Sequence, residues 1–298
     1  MKLFISQVLE NGFLGGPKEK QFTFLYKNID YKITIEQCGE RQITISSPEV
    51  ATAKNFLNVF YNLDTLLMLF DGQFYSVNSV FENNVDVTHS FQSRTLLSYK
   101  SADFMIGSGN ILIDYESVLS AELLKRWIDL REELDLIHKM MLYCVSNVQM
   151  PVDMKCAFMT EVFLGLSELV NERKKDFSLP IIHKGESKLK KYLTAIIEYY
   201  GQDIFHKECK KNKEQFAKIL VDSRNRIAHI KSKQERRYLN GEESVLYLSK
   251  LSLLYRVILF DLLGMIEESY KGKLCRRTDA LNQWQGIASN FLEELGDK

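Results

Sequence analysis

The chain has 298 residues, 45% of them hydrophobic, enough for one large core or two ordinary ones. Its 39 Lys and Arg balance 39 Asp and Glu, which excludes binding to nucleic acid or membranes through net charge, so any such preference must be local. The five cysteines, Cys38, Cys144, Cys156, Cys209 and Cys275, are odd in number and form no Cys-x-x-Cys pair. That excludes a disulfide framework and a zinc site, leaving thiols of a reducing cytosol.

The opening run, MKLFISQVLENGFLGG, is interrupted by Glu10 and Asn11 before it could serve as a signal peptide. Short, roughly alternating segments rich in Thr, Ile, Phe and Tyr follow, and Lys20–Tyr26, Tyr31–Gln37 and Arg41–Ser46 are predicted strands. One helix interrupts them. Ser47 suits its N-cap, Pro48 its first position, Phe56 to Phe70 recur at three and four, and Asp71-Gly72 ends it. This longest apolar stretch is too short to span a bilayer and contains Asn58, Asn62 and Asp64, so a cytoplasmic protein without membrane contact is expected. Gly107-Ser108-Gly109-Asn110 reads as a hairpin turn.

After about residue 116 the period changes to 3.6. Helices are predicted over Leu119–Val145, Met154–Lys175, Ser187–Tyr200, Lys211–Ile230 and Glu243–Tyr270, separated by Pro151, Pro180 with Gly185, Gly201 and Asn240-Gly241. The chain is therefore expected to be α+β: a β-rich domain over 1–115 and an all-helical bundle over 116–298.

Between Lys184 and Arg237 stand 15 Lys or Arg against 7 Asp or Glu. Tyr192, Tyr199, Tyr200, Phe205 and Phe216 lie among them, and cations with aromatics suit a single-stranded nucleic acid. A solvated helix face with core aromatics is the plainer account of the same pattern.

Within this basic stretch lies Ser223-Arg224-Asn225-Arg226-Ile227-Ala228-His229. It offers an imidazole that titrates near neutrality, a guanidinium that grips phosphate through two hydrogen bonds, and an amide to hold either in place. That is a sufficient kit for cutting RNA without metal or other cofactor. A base takes the proton of the 2′-OH, the oxygen attacks phosphorus, a cation stabilises the charge and an acid protonates the leaving 5′-oxygen. Lys218, Arg226, Lys231 and Lys233 are the expected backbone contacts to RNA. On a regular helix Asn225 and His229 share a face, but Arg224 lies about 140° from His229. Either the arginine bends toward the imidazole or the turn is irregular. Spacing alone is weak, since an Arg followed by a His at this separation arises by chance about 0.6 times per chain. Arg131 and His138 supply a second instance, but Glu132 and Glu133 beside Arg131 would repel phosphate, and the pair reads as structural.

With its asparagine directly after the arginine, Ile219 to His229 resembles the motif region of the HEPN superfamily, and more narrowly that of ApeA-like anti-phage defence proteins, which place a β-rich domain ahead of a HEPN domain. Leu123-Leu124-Lys125-Arg126-Trp127-Ile128-Asp129-Leu130 is similar to that family as well. The resemblance implies a ribonuclease of abortive-infection or toxin systems, acting on tRNA or mRNA as a homodimer formed through the helical domain. A further reading makes the β-rich half a sensor that binds a phage-derived or host trigger and restrains the helical half. The resemblance further implies His229 as general acid or base, Arg224 as phosphate ligand, Asn225 as orienting group, and an acidic residue on an early helix, Glu161 or alternatively Glu168. A HEPN scaffold that holds RNA or protein without cutting is the competing reading, because function resides in the site rather than the fold. His89, His183 and His206 read as surface residues, with no partner ligands at metal spacing.

Overall fold

The computed structural model describes residues 1–8, 17–92, 101, 108–229 and 236–296. The chain forms two compact units, Met1–Glu133 and Leu134–Lys298.

In the first unit, alternating sequences form β1 (Lys2–Val8), β2 (Lys18–Tyr26), β3 (Ile29–Cys38) and β4 (Glu40–Ser46), followed by helix α1 (Ala53–Asp71), β5 (Ser76–Glu82) and β6 (Val85–Asp86). The strands make one antiparallel sheet in the order β2-β3-β4-β1-β5-β6. Period-2 alternation puts Leu3 and Ile5, Tyr31, Ile33 and Ile35, and Ile43 and Ile45 on one buried face. Helix α1 lies on that face, with Phe56 edge-on to Tyr31 at 5.3 Å between ring centres. It starts later than the sequence predicts. Thr52 is the N-cap, its side chain accepting the Asn55 N–H, whereas Ser47 makes a turn in which its hydroxyl accepts the Glu49 N–H. Gly72 ends the helix with φ 68, a left-handed cap that glycine adopts without strain. Further on, Ser108–Asn110 is a single 3-10 turn, while Gly107, the first residue of the predicted hairpin turn, lies outside the described residues.

One end of this core is polar. Register brings Gln7 and Gln37 to either side of Arg41, whose guanidinium is buried, pairs with Asp71 at 2.6 Å and lies over the Tyr75 ring at 3.9 Å. Asp64 accepts a 2.7 Å hydrogen bond from Gln7, yet loss of solvent dominates and pushes its carboxyl from 3.8 up to about 6. The folded state thus binds more protons than the unfolded chain between about pH 4 and about pH 6, so Asp64 makes stability fall as pH rises through that window. Asp64→Asn is expected to remove that slope. The melting midpoints of wild type and variant, measured across the window, should diverge with rising pH; parallel profiles would show an unshifted carboxyl.

Short helices α2 (Thr88–Gln92) and α3 (Tyr115–Val118) precede α4 (Ala121–Val145). The chain passes between units inside α4, where Asp135 breaks the helix at φ 31, ψ −104. This lies beyond the change of hydrophobic period near 116, because the first turns of α4 complete the first core. The Trp127 indole donates to the Asn62 carbonyl at 3.0 Å, and Arg131 lies over the Tyr61 ring at 4.8 Å. His138, by contrast, is buried in the second unit with Nδ1 3.1 Å from the Tyr255 hydroxyl. Arg131 and His138 thus fall in different units, each with a packing role.

The second unit is built from the end of α4 with α5 (Val152–Arg173), α6 (Lys188–Tyr200), α7 (Gln202–Ala228), α8 (Gly241–Leu262), α9 (Lys271–Gln283) and α10 (Ile287–Gly296). Helix α5 packs against α6, α7 and α8. Nearly every residue of α8 from Glu243 to Phe260 is buried, which makes it the axis of the bundle. Asn240 and Glu243 start it with a reciprocal capping box. The sequence prediction runs one helix on to Tyr270, but the chain turns at Gly264 and continues as α9 and α10. No helix among the described residues is long and apolar enough to cross a membrane.

Candidate active site

The predicted motif occupies the end of α7. This helix follows α6 after a single residue, Gly201, where any Cβ would lie 2.7 Å from the Ile197 carbonyl oxygen. It is irregular at Phe205 and Asn212 and restarts there, with the Asn212 side chain accepting the Gln215 N–H at 3.0 Å as an N-cap would. The irregular segment holds Glu208, which is buried 2.5 Å from the Lys250 ammonium and takes a 3.3 Å hydrogen bond from the Tyr247 hydroxyl. Beyond the restart, Phe216, Ala217 and Leu220 are buried within the bundle. The register so fixed leaves Arg224 and Asn225 half-buried and Arg226 and His229 exposed.

Arg224 is held from two sides. Its Nε lies 2.7 Å from Glu161 Oε2 on α5, an ionic contact without hydrogen-bond alignment, and Nη1 donates to Asn225 Oδ1 at 2.9 Å. A guanidinium carries five N–H donors in one plane, so this clamp fixes the plane and leaves donors for an oxyanion. Glu168, the alternative carboxylate, instead pairs with Lys188 at 2.6 Å. His229 is the C-cap, at φ −109, ψ 6, its backbone N–H closing the last turn on the Asn225 carbonyl at 3.1 Å.

The outlying cations divide. Lys218 is tied to Asp222 at 3.0 Å, and Arg236 reaches the same carboxylate at 3.5 Å. Arg226 lies over the Tyr238 ring at 5.1 Å. Lys231 and Lys233 lie outside the described residues. Much of the basic stretch is locally paired: Lys190 with Glu214, Lys191 with Glu186 and Lys213 with Glu198. The aromatics among these lysines divide as well. Phe205 and Phe216 are core residues, while the Tyr199 and Tyr200 hydroxyls donate to Asp176 and Asp261. The apolar demand of a buried helix face accounts for Phe205 and Phe216, whereas Tyr199 is exposed and the Lys188 ammonium lies 5.2 Å from the Tyr192 ring.

Beside the motif is a cavity of about 350 Å³ whose lining includes Arg224, Arg226, Tyr238 and Asp153. Tyr238 and Asp153 escape a reading by spacing, because Tyr238 stands 14 positions after Arg224 and Asp153 sits two helices earlier. Cys156 also lines this cavity, with burial pushing its thiol well above the usual range, which keeps it protonated and inert. Among the described residues no group of three or more His, Cys, Asp or Glu is placed to hold a metal ion.

Residues 153–269 match the family model described as Apea-like HEPN. The match runs from the first turn of α5 past the end of α8 and contains Glu161, Arg224, Asn225 and His229. No curated protein and no solved structure matches the chain.

Proposed function

Residues 153–269 belong to the Apea-like HEPN family, whose domains point to nuclease or other RNA-related work, and from that premise we propose that the protein is a metal-independent endoribonuclease of anti-phage defence. The observation that carries the reading is the clamp on Arg224. Glu161 and Asn225 fix a guanidinium at a partly exposed site, five residues before the imidazole of the helix C-cap. In the reaction, Arg224 holds the scissile phosphate and meets the charge that builds on its oxygens. His229 moves the proton, taking it from the 2′-OH or giving it to the leaving 5′-oxygen. Asn225 and Glu161 are positioning residues that act through the arginine. One imidazole per chain leaves the second proton transfer to another group, and a homodimer formed through the helical unit would supply the partner's motif. The N-terminal unit is assigned the regulatory part, binding a phage-derived or host component.

Total RNA incubated with the protein in EDTA is expected to be cut, leaving 5′-hydroxyl ends and 2′,3′-cyclic or 3′-phosphates. Sequencing of the 5′ ends would identify tRNA or mRNA as the target. Loss of cutting on chelation, or 5′-phosphate products, would overturn the mechanism. The competing reading is a HEPN scaffold that holds RNA or a protein without cutting, because function resides in the site rather than the fold. That scaffold would bind RNA and leave it intact.

A further inference from the structure

A second cavity, of about 490 Å³, opens where α6 turns into α7 and α8 gives way to α9. Asp203 lines it from the first turn of α7, and 21 positions of that helix, up to roughly 30 Å at about 1.5 Å each, separate it from Arg224. Asp176, Asp261 and Glu267 line it as well, against Lys174 and Lys271, which leaves an excess of two negative charges. Lys174 pairs with Asp261 at 2.8 Å and Lys271 with Glu267 at 2.7 Å, so alkylammonium groups are what these carboxylates already hold. Asp203 has the Lys271 ammonium no nearer than 3.9 Å. Tyrosines supply much of the wall. Tyr199 and Tyr200 stand edge to face with ring centres 4.7 Å apart, and their hydroxyls donate to Asp176 and Asp261, which holds the rings and makes their faces more negative. Tyr270 is left over. It is 5% exposed and its hydroxyl has no hydrogen-bond partner among the described residues, yet unlike the hydroxyls of Tyr31, Tyr75 and Tyr115 it is not sealed from the space around it. Burial, and then Glu267, Asp261 and Asp203, push that hydroxyl up to about 12, which records the negative field at the site.

We propose that this cavity binds a small aliphatic polyamine, one of whose ammonium groups donates to the Tyr270 hydroxyl. Carboxylates alone would be an ordinary solvated surface; what singles out this place is a polar group withdrawn into a cavity wall with nothing to bond to. The sign of the ligand follows from the excess carboxylates and from the tyrosine faces, both of which attract cations. Its shape follows from their spread. No three carboxylates among the described residues converge on one point, so a compact metal ion is not matched, whereas a charge divided along a flexible chain is. Val257, Met265 and Leu274 line the same cavity and give the methylenes of such a chain apolar cover. The volume suits a small molecule rather than a protein segment. Two or more ammonium groups answer the two uncompensated charges.

The test uses the full chain free of RNA, titrated in a calorimeter with spermidine, putrescine, magnesium chloride and tetralysine. Spermidine is expected to bind at one site and more tightly than magnesium or tetralysine. Tyr270→Phe should weaken it by about tenfold or more, the worth of a hydrogen bond to a charged group. The melting temperature without ligand should stay put, because the hydroxyl removed has no partner to lose. Asp203→Asn should cost about threefold, as one partly exposed charge does. Glu293→Gln, at an exposed carboxylate of α10, is the control and should change nothing. Absence of spermidine binding overturns the site. So does an equal loss in Tyr270→Phe and Glu293→Gln, which would mark loose counter-ions, or an affinity that Tyr270→Phe leaves unchanged. Tighter binding of tetralysine would make the cavity a docking point for a basic peptide, and tighter binding of magnesium an ion site; either result overturns the polyamine. Since no RNA is present, none of these outcomes depends on the ribonuclease reading.

Discussion

His229→Ala lowers the rate of RNA cleavage by about 10²- to 10⁴-fold, the usual worth of a positioned acid or base, and leaves folding unchanged. Both halves of this expectation follow from the helix end. The His229 side chain is exposed, and the bond that closes the last turn comes from its backbone N–H, which alanine retains. A loss of activity would therefore report on the imidazole itself. Arg224→Lys is the informative companion, since lysine keeps the charge but cannot hold Asn225, Glu161 and a phosphate in one plane. Measured together under single-turnover conditions, the catalytic reading has both variants fall in rate. A binding scaffold would tolerate His229→Ala, so a variant that binds and cuts RNA as well as wild type sinks the assignment of His229.

The largest effect on stability is expected at Lys250. Its ammonium and the Glu208 carboxylate are 0% and 1% exposed and lie 2.5 Å apart. Removing one member of such a pair strands the other charge away from water, at a cost of about 3–5 kcal/mol. Lys250→Met should shift urea unfolding of the helical unit to lower denaturant by that amount, followed by circular dichroism. Glu208→Leu combined with Lys250→Met should recover most of the loss, because an apolar pair of similar volume avoids the desolvation of both ions. If the double variant is as unstable as the single one, the pair serves to hold the irregular part of α7 in shape. RNA cleavage by the double variant would then report on that shape.

The parts of this chain that sequence reveals are those where one short-range rule dominates. Ile33 and Ile35 alternate with polar neighbours because their strand buries a single face, and α5 and α6 follow the 3.6 period because each turns one side to the core, while α8 is buried nearly all round. The motif is legible for a different reason: Arg224 to His229 are contiguous, so their chemistry can be listed without knowing the fold. Where two local signals compete, sequence misleads. Ser47 and Pro48 look like a helix start, but the strand they follow claims Ser47 through its N–H bond to the Met1 carbonyl, and Thr52 caps the helix instead. Long-range choices are not legible at all. Glu161 and Glu168 lie on the same helix and differ in that the first meets Arg224 and the second meets Lys188. Nothing near either glutamate in sequence records that. The same holds for Tyr238 beneath Arg226, and for the lysines whose charge is cancelled by carboxylates from other helices.

Helix α10 lies past the residues that the family model matches, yet its Phe291 sits 4.7 Å from the Tyr247 ring and 6.1 Å from that of Phe216, the residue that anchors the motif helix. Glu294 on the same helix pairs with Arg237, whose guanidinium also reaches Glu243 at the start of α8. The smallest autonomous piece of this molecule is therefore larger than its family signature. A protease nick or a stop codon near residue 270 would leave the whole motif intact in sequence while stripping away the aromatic backing that sets its register, so inactivation from that distance would be an effect of scaffolding and not of chemistry.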